Sequence, residues 1–289
     1  MKINKEDEQY PLILKQIKNP PKCIYYKGNI KLLEEPGISI VGSRKCTNYG
    51  KKMATEFSKK LSEYGVTIVS GMAKGIDSFA HKETIKVGGN TIAVLPCGLS
   101  NIYPKENRKL YEEILENNGL VITEYEEKEE ASYNKFLERN RIVSGLSIGT
   151  LIIEGGYRSG TSVTAKLAKE QGKNVFCIPS SLENPEGITP NRLIKEGAFL
   201  VTEVEDIINQ YPNMNLTKRK LNIKDENVED EYKEIYNCLD YEKEIYINDI
   251  VKKVKMNITE VNYKLMMLEL KDKIVSLPGN NYRKKWGCM

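Results

Sequence analysis

Between Pro36 and about Tyr211, six short runs of β-branched and aliphatic residues alternate with stretches of helical spacing. No other feature constrains the fold as tightly. The runs fall at 38–41, 66–69, 91–95, 120–122, 150–153 and 175–178, each bounded by Gly, Asn or Pro, as strands buried on both faces are. The helical stretches at 48–64, 76–87, 105–117 and 162–171 lie between them. Strand–helix alternation at this spacing predicts an α/β fold with a doubly wound, mostly parallel sheet. Ligands of such sheets gather at the carboxyl ends of the strands.

The flanks read differently. Residues 1–35 form a helical or extended lead-in broken by Pro20-Pro21, ahead of a core at 36–212. Residues 213–224, Asn-Met-Asn-Leu-Thr-Lys-Arg-Lys-Leu-Asn-Ile-Lys, are polar and basic, as a linker is. Beyond them, three helices (230–239, 247–254, 258–270) precede an alternating segment with a Gly-Asn-Asn turn. That order predicts a small winged-helix domain over 225–289. No apolar run approaches the ~20 residues of a membrane span, and the opening residues lack the apolar segment of a secretory signal. A cytoplasmic protein without membrane contact is expected.

Several function classes fall away. The six cysteines are widely spaced and His81 is the single histidine, so a Cys/His zinc site is not expected. Neither a G-x-S-x-G elbow nor a G-x-x-x-x-G-K-[ST] loop occurs, and no cofactor is expected. The chain has 44 Lys+Arg against 40 Asp+Glu. Residues 36–212 hold 22 of each sign, and residues 225–289 hold 11 basic against 13 acidic side chains. The excess therefore sits in the lead-in and the linker, and any anion site in the core must be local.

Four segments have the composition for such a site. The first strand is followed by Gly42-Ser43-Arg44, at the start of a helix. Backbone amides there form a phosphate cradle, and Arg44 supplies a planar fork. After the second strand comes Ser70-Gly71-Met72-Ala73-Lys74-Gly75-Ile76-Asp77, with His81 one turn on. Asp77 and His81 read equally as a helix-start carboxylate and a core residue. The third segment, Phe136-Leu137-Glu138-Arg139-Asn140-Arg141, offers two arginines to phosphates or base edges. Those arginines could instead pair with the acidic run at 124–130, and Phe136 could stack on a base or anchor its helix. The fourth, Glu154-Gly155-Gly156-Tyr157-Arg158-Ser159-Gly160-Thr161-Ser162, follows the fifth strand and makes a second cradle. Two cradles on one sheet edge, without P-loop chemistry, point to a phosphate-bearing molecule, and a polyanionic strand would use both.

In this order the segments resemble the DNA-processing protein A family (DprA, also called Smf). The resemblance runs from about residue 10 to 210. It rests on Tyr10-Pro11, Asn19-Pro20-Pro21, Gly42-Ser43-Arg44, the Ser70 to Asp77 loop with Ala80-His81, and the run from Arg139 to Ser147. It continues through Arg158-Ser159-Gly160-Thr161, Val175 to Pro179, Asn191-Arg192-Leu193-Ile194 and Glu196-Gly197-Ala198. The resemblance implies a Rossmann-like core that binds single-stranded DNA without catalysis, forms a homodimer and helps load a RecA-type recombinase in natural transformation. It makes Gly42, Ser43 and Arg44 the prime DNA contacts, with Arg139, Arg141, Ser159, Gly160 and Lys173 as secondary candidates and Phe136 as a stacking candidate. The chain departs from the family at Leu137, at Ile188-Thr189-Pro190-Asn191, and in the acidic run, which would repel DNA if it bordered the groove. A rival reading is a phosphoribohydrolase of the lysine-decarboxylase-like group, with the glycine-rich fourth loop holding a nucleotide and Glu154 as general acid/base.

Overall fold

In a computed structural model of the chain, the described residues are 1–219, 228–240 and 243–285. They fall into two units, Met1–Lys224 and Asp225–Met289. In the first unit, in chain order, the elements are β1 (Lys2–Asn4), α1 (Leu12–Lys15), β2 (Cys23–Gly28), β3 (Gly37–Val41), α2 (Asn48–Glu63), β4 (Thr67–Ser70), α3 (Ile76–Lys86) and β5 (Thr91–Val94). There follow α4 (Arg108–Glu116), β6 (Leu120–Thr123), α5 (Tyr133–Gly145), β7 (Gly149–Ile152), α6 (Gly160–Glu170), β8 (Asn174–Cys177), α7 (Ile188–Lys195), β9 (Phe199–Leu200) and α8 (Glu205–Ile208).

All nine strands join one sheet in the order β1-β2-β6-β5-β4-β3-β7-β8-β9. From β6 to β9 every pairing is parallel, with Ile38 opposite Ile68 on one side of β3 and opposite Gly149 on the other. The chain winds outward from β3 through β4 and β5 to β6, then returns to place β7 on the far side of β3. The reversal of direction makes the gap between β3 and β7 the switch point, where a doubly wound sheet opens a crevice for ligand.

Every residue of β3, β4, β5, β6 and β7 is buried. Side chains alternate between two layers of helices, as the pleat requires. Ile38 and Ile40 pack with Phe57 and Leu61 of α2 and Ile76 of α3. Val41 packs on the other face with Ile142 and Val143 of α5 and Ala165 of α6. On that face Ser39 donates its hydroxyl to the Val143 carbonyl at 2.7 Å and bonds Ser147 at 2.6 Å, so the one polar residue of β3 is paired.

The lead-in is more ordered than its composition suggests. β1 pairs with β2 and β2 with β6, both antiparallel. β2 buries Ile24 and Tyr26 while Cys23 and Tyr25 are partly exposed and Lys27 and Gly28 exposed, an alternating pattern that a search for fully buried strands passes over. Tyr10 donates to the Pro21 carbonyl at 2.8 Å. Leu14 and Ile17 lie so close to Gly145 that a Cβ there would come within 2.8 Å of Leu14. In the expected linker, Leu216 packs on the α2 side of the core and the Arg219 amide donates to the Glu63 carbonyl at 2.6 Å. Residues 220–224 of that segment lie outside the described ones.

The second unit contains α9 (Asp230–Cys238), β10 (Ile245–Tyr246), α10 (Ile247–Val254), α11 (Ile258–Leu270), β11 (Ile274–Leu277) and β12 (Asn281–Lys284). Its sheet runs β10-β12-β11, antiparallel throughout. Tyr236, Ile250, Val261 and Leu268 fill its core. Gly279 and Asn280 take positive φ in the turn between the last two strands, which Gly and Asn tolerate. A helix, a short strand, two further helices and a terminal hairpin, in this order, make a winged helix. No helix among the described residues is long and apolar enough to cross a membrane.

Candidate nucleic-acid interface

The carboxyl ends of β3, β4 and β7 open into a cleft of about 580 Å³. Its walls include Gly42, Ser43 and Arg44 after β3, Gly71 and Ala73 after β4, Phe136, Arg139 and Asn140 of α5, and Arg158, Ser159 and Gly160 at the start of α6. Segments separated by more than a hundred residues therefore meet at the switch point.

Glycines make the approach of the first two loops possible. A Cβ on Gly42 would lie 2.5 Å from the Ile76 side chain. Gly75 has φ +78°, and a Cβ there would meet the Ser43 carbonyl oxygen at 2.2 Å. Only glycine combines that backbone region with such a contact. The Ile76 amide donates to the Ser43 carbonyl at 3.2 Å, which ties the Arg44 loop to the start of α3. The Ser43 hydroxyl accepts from the Lys45 amide at 3.0 Å.

Arg44 is exposed. Its guanidinium lies 4.9 Å from the centroid of the Phe136 ring, whose edge contacts Tyr103 with centroids 5.2 Å apart. A cation over an aromatic face beside a second ring offers both charge and stacking surface. A small recess of about 50 Å³ lined by Arg44, Lys74, Tyr103 and Phe136 adjoins the main cleft.

Arg139 forms the floor. It is 4% exposed and donates to the carbonyls of Gly71 and Val94, so it ties the ends of β4 and β5 together and holds the second loop. Burial lowers its pKa to about 10, and it keeps its charge at neutral pH. Asp77 is also buried, and its Oδ2 accepts from the amides of Gly71 and Ala73 at 3.1 and 3.3 Å. Burial raises the Asp77 pKa, against the pull of Arg139. His81 belongs to the core. It is fully buried with Nδ1 2.6 Å from the Thr91 hydroxyl, and burial lowers its pKa to about 3.

Two expected contacts lie elsewhere. Arg141 is ion-paired with Glu124 and does not line the cleft. Successive positions on a helix diverge by about 100°, which turns Arg141 away from the face of α5 that Arg139 and Asn140 present. Lys173 donates to the carbonyls of Ser144 and Gly145 at 2.8 and 2.5 Å. It caps the C-terminal end of α5, where cations are favoured, and is outside the cleft. The acidic run at 124–130 supplies no lining residue. Glu124 is held by Arg141, and the carbonyls of Glu127 and Glu129 accept from Ser100 and Gly98.

The structure adds Arg158, Tyr133, Thr161 and Thr164 to the walls. Arg158 has φ +54° and lies beside the Tyr157 ring. It was legible within the fourth loop. Tyr133, 77% exposed, carries no motif by which to find it. Glu154, the carboxylate of the rival reading, is fully buried. It accepts from the Thr47 amide at 2.8 Å, the Thr47 hydroxyl at 2.6 Å and Asn184 at 3.0 Å. Thr47 in turn caps α2. These bonds give Glu154 a place in the fold, and it is not among the cleft residues.

Comparison with known proteins bears on this geometry. The family model described as DNA recombination-mediator protein A matches residues 2–212. The chain belongs to that family. Within it, Protein Smf of Escherichia coli is 41% identical over 207 residues, covering 71% of this chain and 55% of that protein. The DNA processing protein DprA of Bacillus subtilis is 39% identical over 210 residues, covering 72% and 70%. Among solved structures, DprA from Streptococcus pneumoniae superposes with a TM-score of 0.70 at 39% identity, covering 73% of this chain and 74% of that one. DNA processing protein A from Helicobacter pylori, described for its single-stranded DNA binding mode, gives 0.64 at 32% identity, covering 72% and 97%. The family match covers the sheet unit through β9 and α8, and every cleft residue lies within it.

Proposed function

We propose that this chain binds single-stranded DNA without transforming it, with the strand passing over the cleft at the carboxyl ends of β3, β4 and β7. The observation that carries the reading is the exposed Arg44 guanidinium lying over the Phe136 ring at the cleft mouth. Strand binding without sequence preference needs phosphate neutralisation and aromatic stacking side by side. Gly42 and Ser43 in the loop after β3, and Ser159 and Gly160 at the start of α6, add backbone and hydroxyl donors. The non-catalytic assignment is supported by Glu154, whose oxygens are taken up by Thr47 and Asn184.

Membership of a recombination-mediator family supports a wider role. In it the protein acts as a cytoplasmic homodimer that protects incoming strands during natural transformation and passes them to a RecA-type recombinase. Fluorescence anisotropy with single- and double-stranded oligonucleotides tests the binding. Arg44→Ala is expected to weaken single-stranded binding about tenfold or more at moderate salt. It should also reduce the logarithmic salt slope by about 0.7 for each phosphate that is no longer neutralised. Unchanged affinity and slope in a folded variant would defeat the assignment.

A further inference from the structure

The positive charge of the cleft exceeds what one internal phosphodiester would balance. Of the eight arginines in the chain, Arg108, Arg141 and Arg192 are each within ion-pair distance of a glutamate. The three that line the cleft, Arg44, Arg139 and Arg158, have no carboxylate at that distance among the described residues. Arg139 spends its bonds on two carbonyl oxygens, and its buried Nε has no hydrogen-bond partner there. Asp77 is the only acid among the wall residues, and its Oδ2 is already engaged by two amides.

The start of α6 adds to the imbalance. No side chain caps it, and nothing lies within 4 Å of the space a Cβ on Gly160 would fill. The Ser162 amide is taken by the Ser159 carbonyl at 3.1 Å, which leaves the Gly160 and Thr161 amides and the positive end of the helix dipole at the cleft wall. Three guanidinium groups and a helix start against at most one carboxylate leave an excess well above one positive charge. An internal phosphodiester brings one negative charge, whereas a phosphomonoester brings about 1.5 to 2 at pH 7 and has a third terminal oxygen to receive donors. The volume, about 580 Å³, is in the range of small-ligand sites, so a nucleotide or a chain end fits the cleft.

We propose that the cleft selects a terminal phosphomonoester, carried by the phosphorylated end of a DNA strand or by a free nucleotide. The inference rests on the reading of this cleft as the strand site and specifies which part of a strand enters it. Arg158 and the α6 amides hold the terminal oxygens, Arg139 sets the potential from below, and the next nucleotide passes over Arg44 and Phe136.

The test compares one short single-stranded oligonucleotide in three forms, with a 5′-phosphate, a 3′-phosphate or hydroxyls at both ends, on the full chain. A parallel calorimetric titration uses dAMP against deoxyadenosine. A gain of about tenfold on phosphorylating either end is expected, and it identifies the strand end as the source. Binding of dAMP but not deoxyadenosine identifies a free nucleotide. Arg158→Gln, an exposed change that leaves the fold alone, should remove either preference. Equal affinity for phosphorylated and unphosphorylated ligands in both arms overturns the proposal, as does a preference that survives Arg158→Gln. Loss of all oligonucleotide binding would count against the strand reading, and is distinguishable because dAMP still reports on the cleft.

Discussion

Arg44, Arg139 and Arg141 have the same side chain and three different fates. Arg44 faces solvent over an aromatic ring, Arg139 is built into the floor, and Arg141 is neutralised by Glu124. The difference lies in what the rest of the fold brings beside each one. Gly71 shows how tightly the floor is made, since a Cβ there would lie 2.3 Å from the Arg139 guanidinium. Gly71→Ala is therefore expected to displace Arg139 and lower stability by about 2 kcal/mol, read as a fall in the thermal midpoint, with strand binding weakened in parallel. His81 makes a pH prediction at the same scale. Its folded pKa of about 3 lies below the unfolded value of 6.5, so between these values the unfolded chain binds the extra proton. Stability is full above pH 6.5 and falls as pH drops toward 3, by up to about 1.4 kcal/mol per unit. Urea titrations at stepped pH should show a steeper acid loss in wild type than in His81→Asn.

α5 and α6 carry the site as elements. α5 presents Tyr133, Phe136, Arg139 and Asn140 to the cleft, and Lys173 closes its far end on the Ser144 and Gly145 carbonyls. Burial lowers the Lys173 pKa from 10.5 to about 8. The unfolded chain is then the better proton binder between those values, and stability rises with pH across that window. Lys173→Met should lose this alkaline rise and should leave the Arg44 and α6 side of the cleft unaltered. Denaturant titrations from pH 7 to pH 10 check it, and an unchanged slope would show that Lys173 is not buried at the end of α5. The helix and strand positions were legible because they rest on local period and on β-branched composition. The direction each helix face takes was legible only in part. The pattern 136–141 put two arginines on α5 without saying that one faces the cleft and the next faces Glu124.

At the scale of the whole molecule, the sheet unit holds every cleft residue and the winged-helix unit holds none. A chain ending before residue 225 is therefore expected to bind single-stranded DNA within about twofold of the full chain, since distant sites are close to additive. A larger loss in anisotropy titrations would give the winged helix a part in strand binding. Its third helix, α11, has Lys264 as its one cation, paired with Glu260, which is meagre for reading DNA. Even so, the unit has its own core around Tyr236 and Ile250, and its helix order was plain in the sequence.

By itself the sequence determined the doubly wound class, the four loops at the strand ends and the glycines that let them close, because each depends on period, composition and backbone freedom within a few residues. The tertiary structure alone decided which of the cations in those loops are available. Arg141 finds Glu124 across seventeen residues, Lys173 finds carbonyls on a different helix, and Arg139 finds those of Gly71 and Val94. Charge neutralisation is a contact between neighbours in space, and those neighbours come from parts of the chain that no local pattern relates.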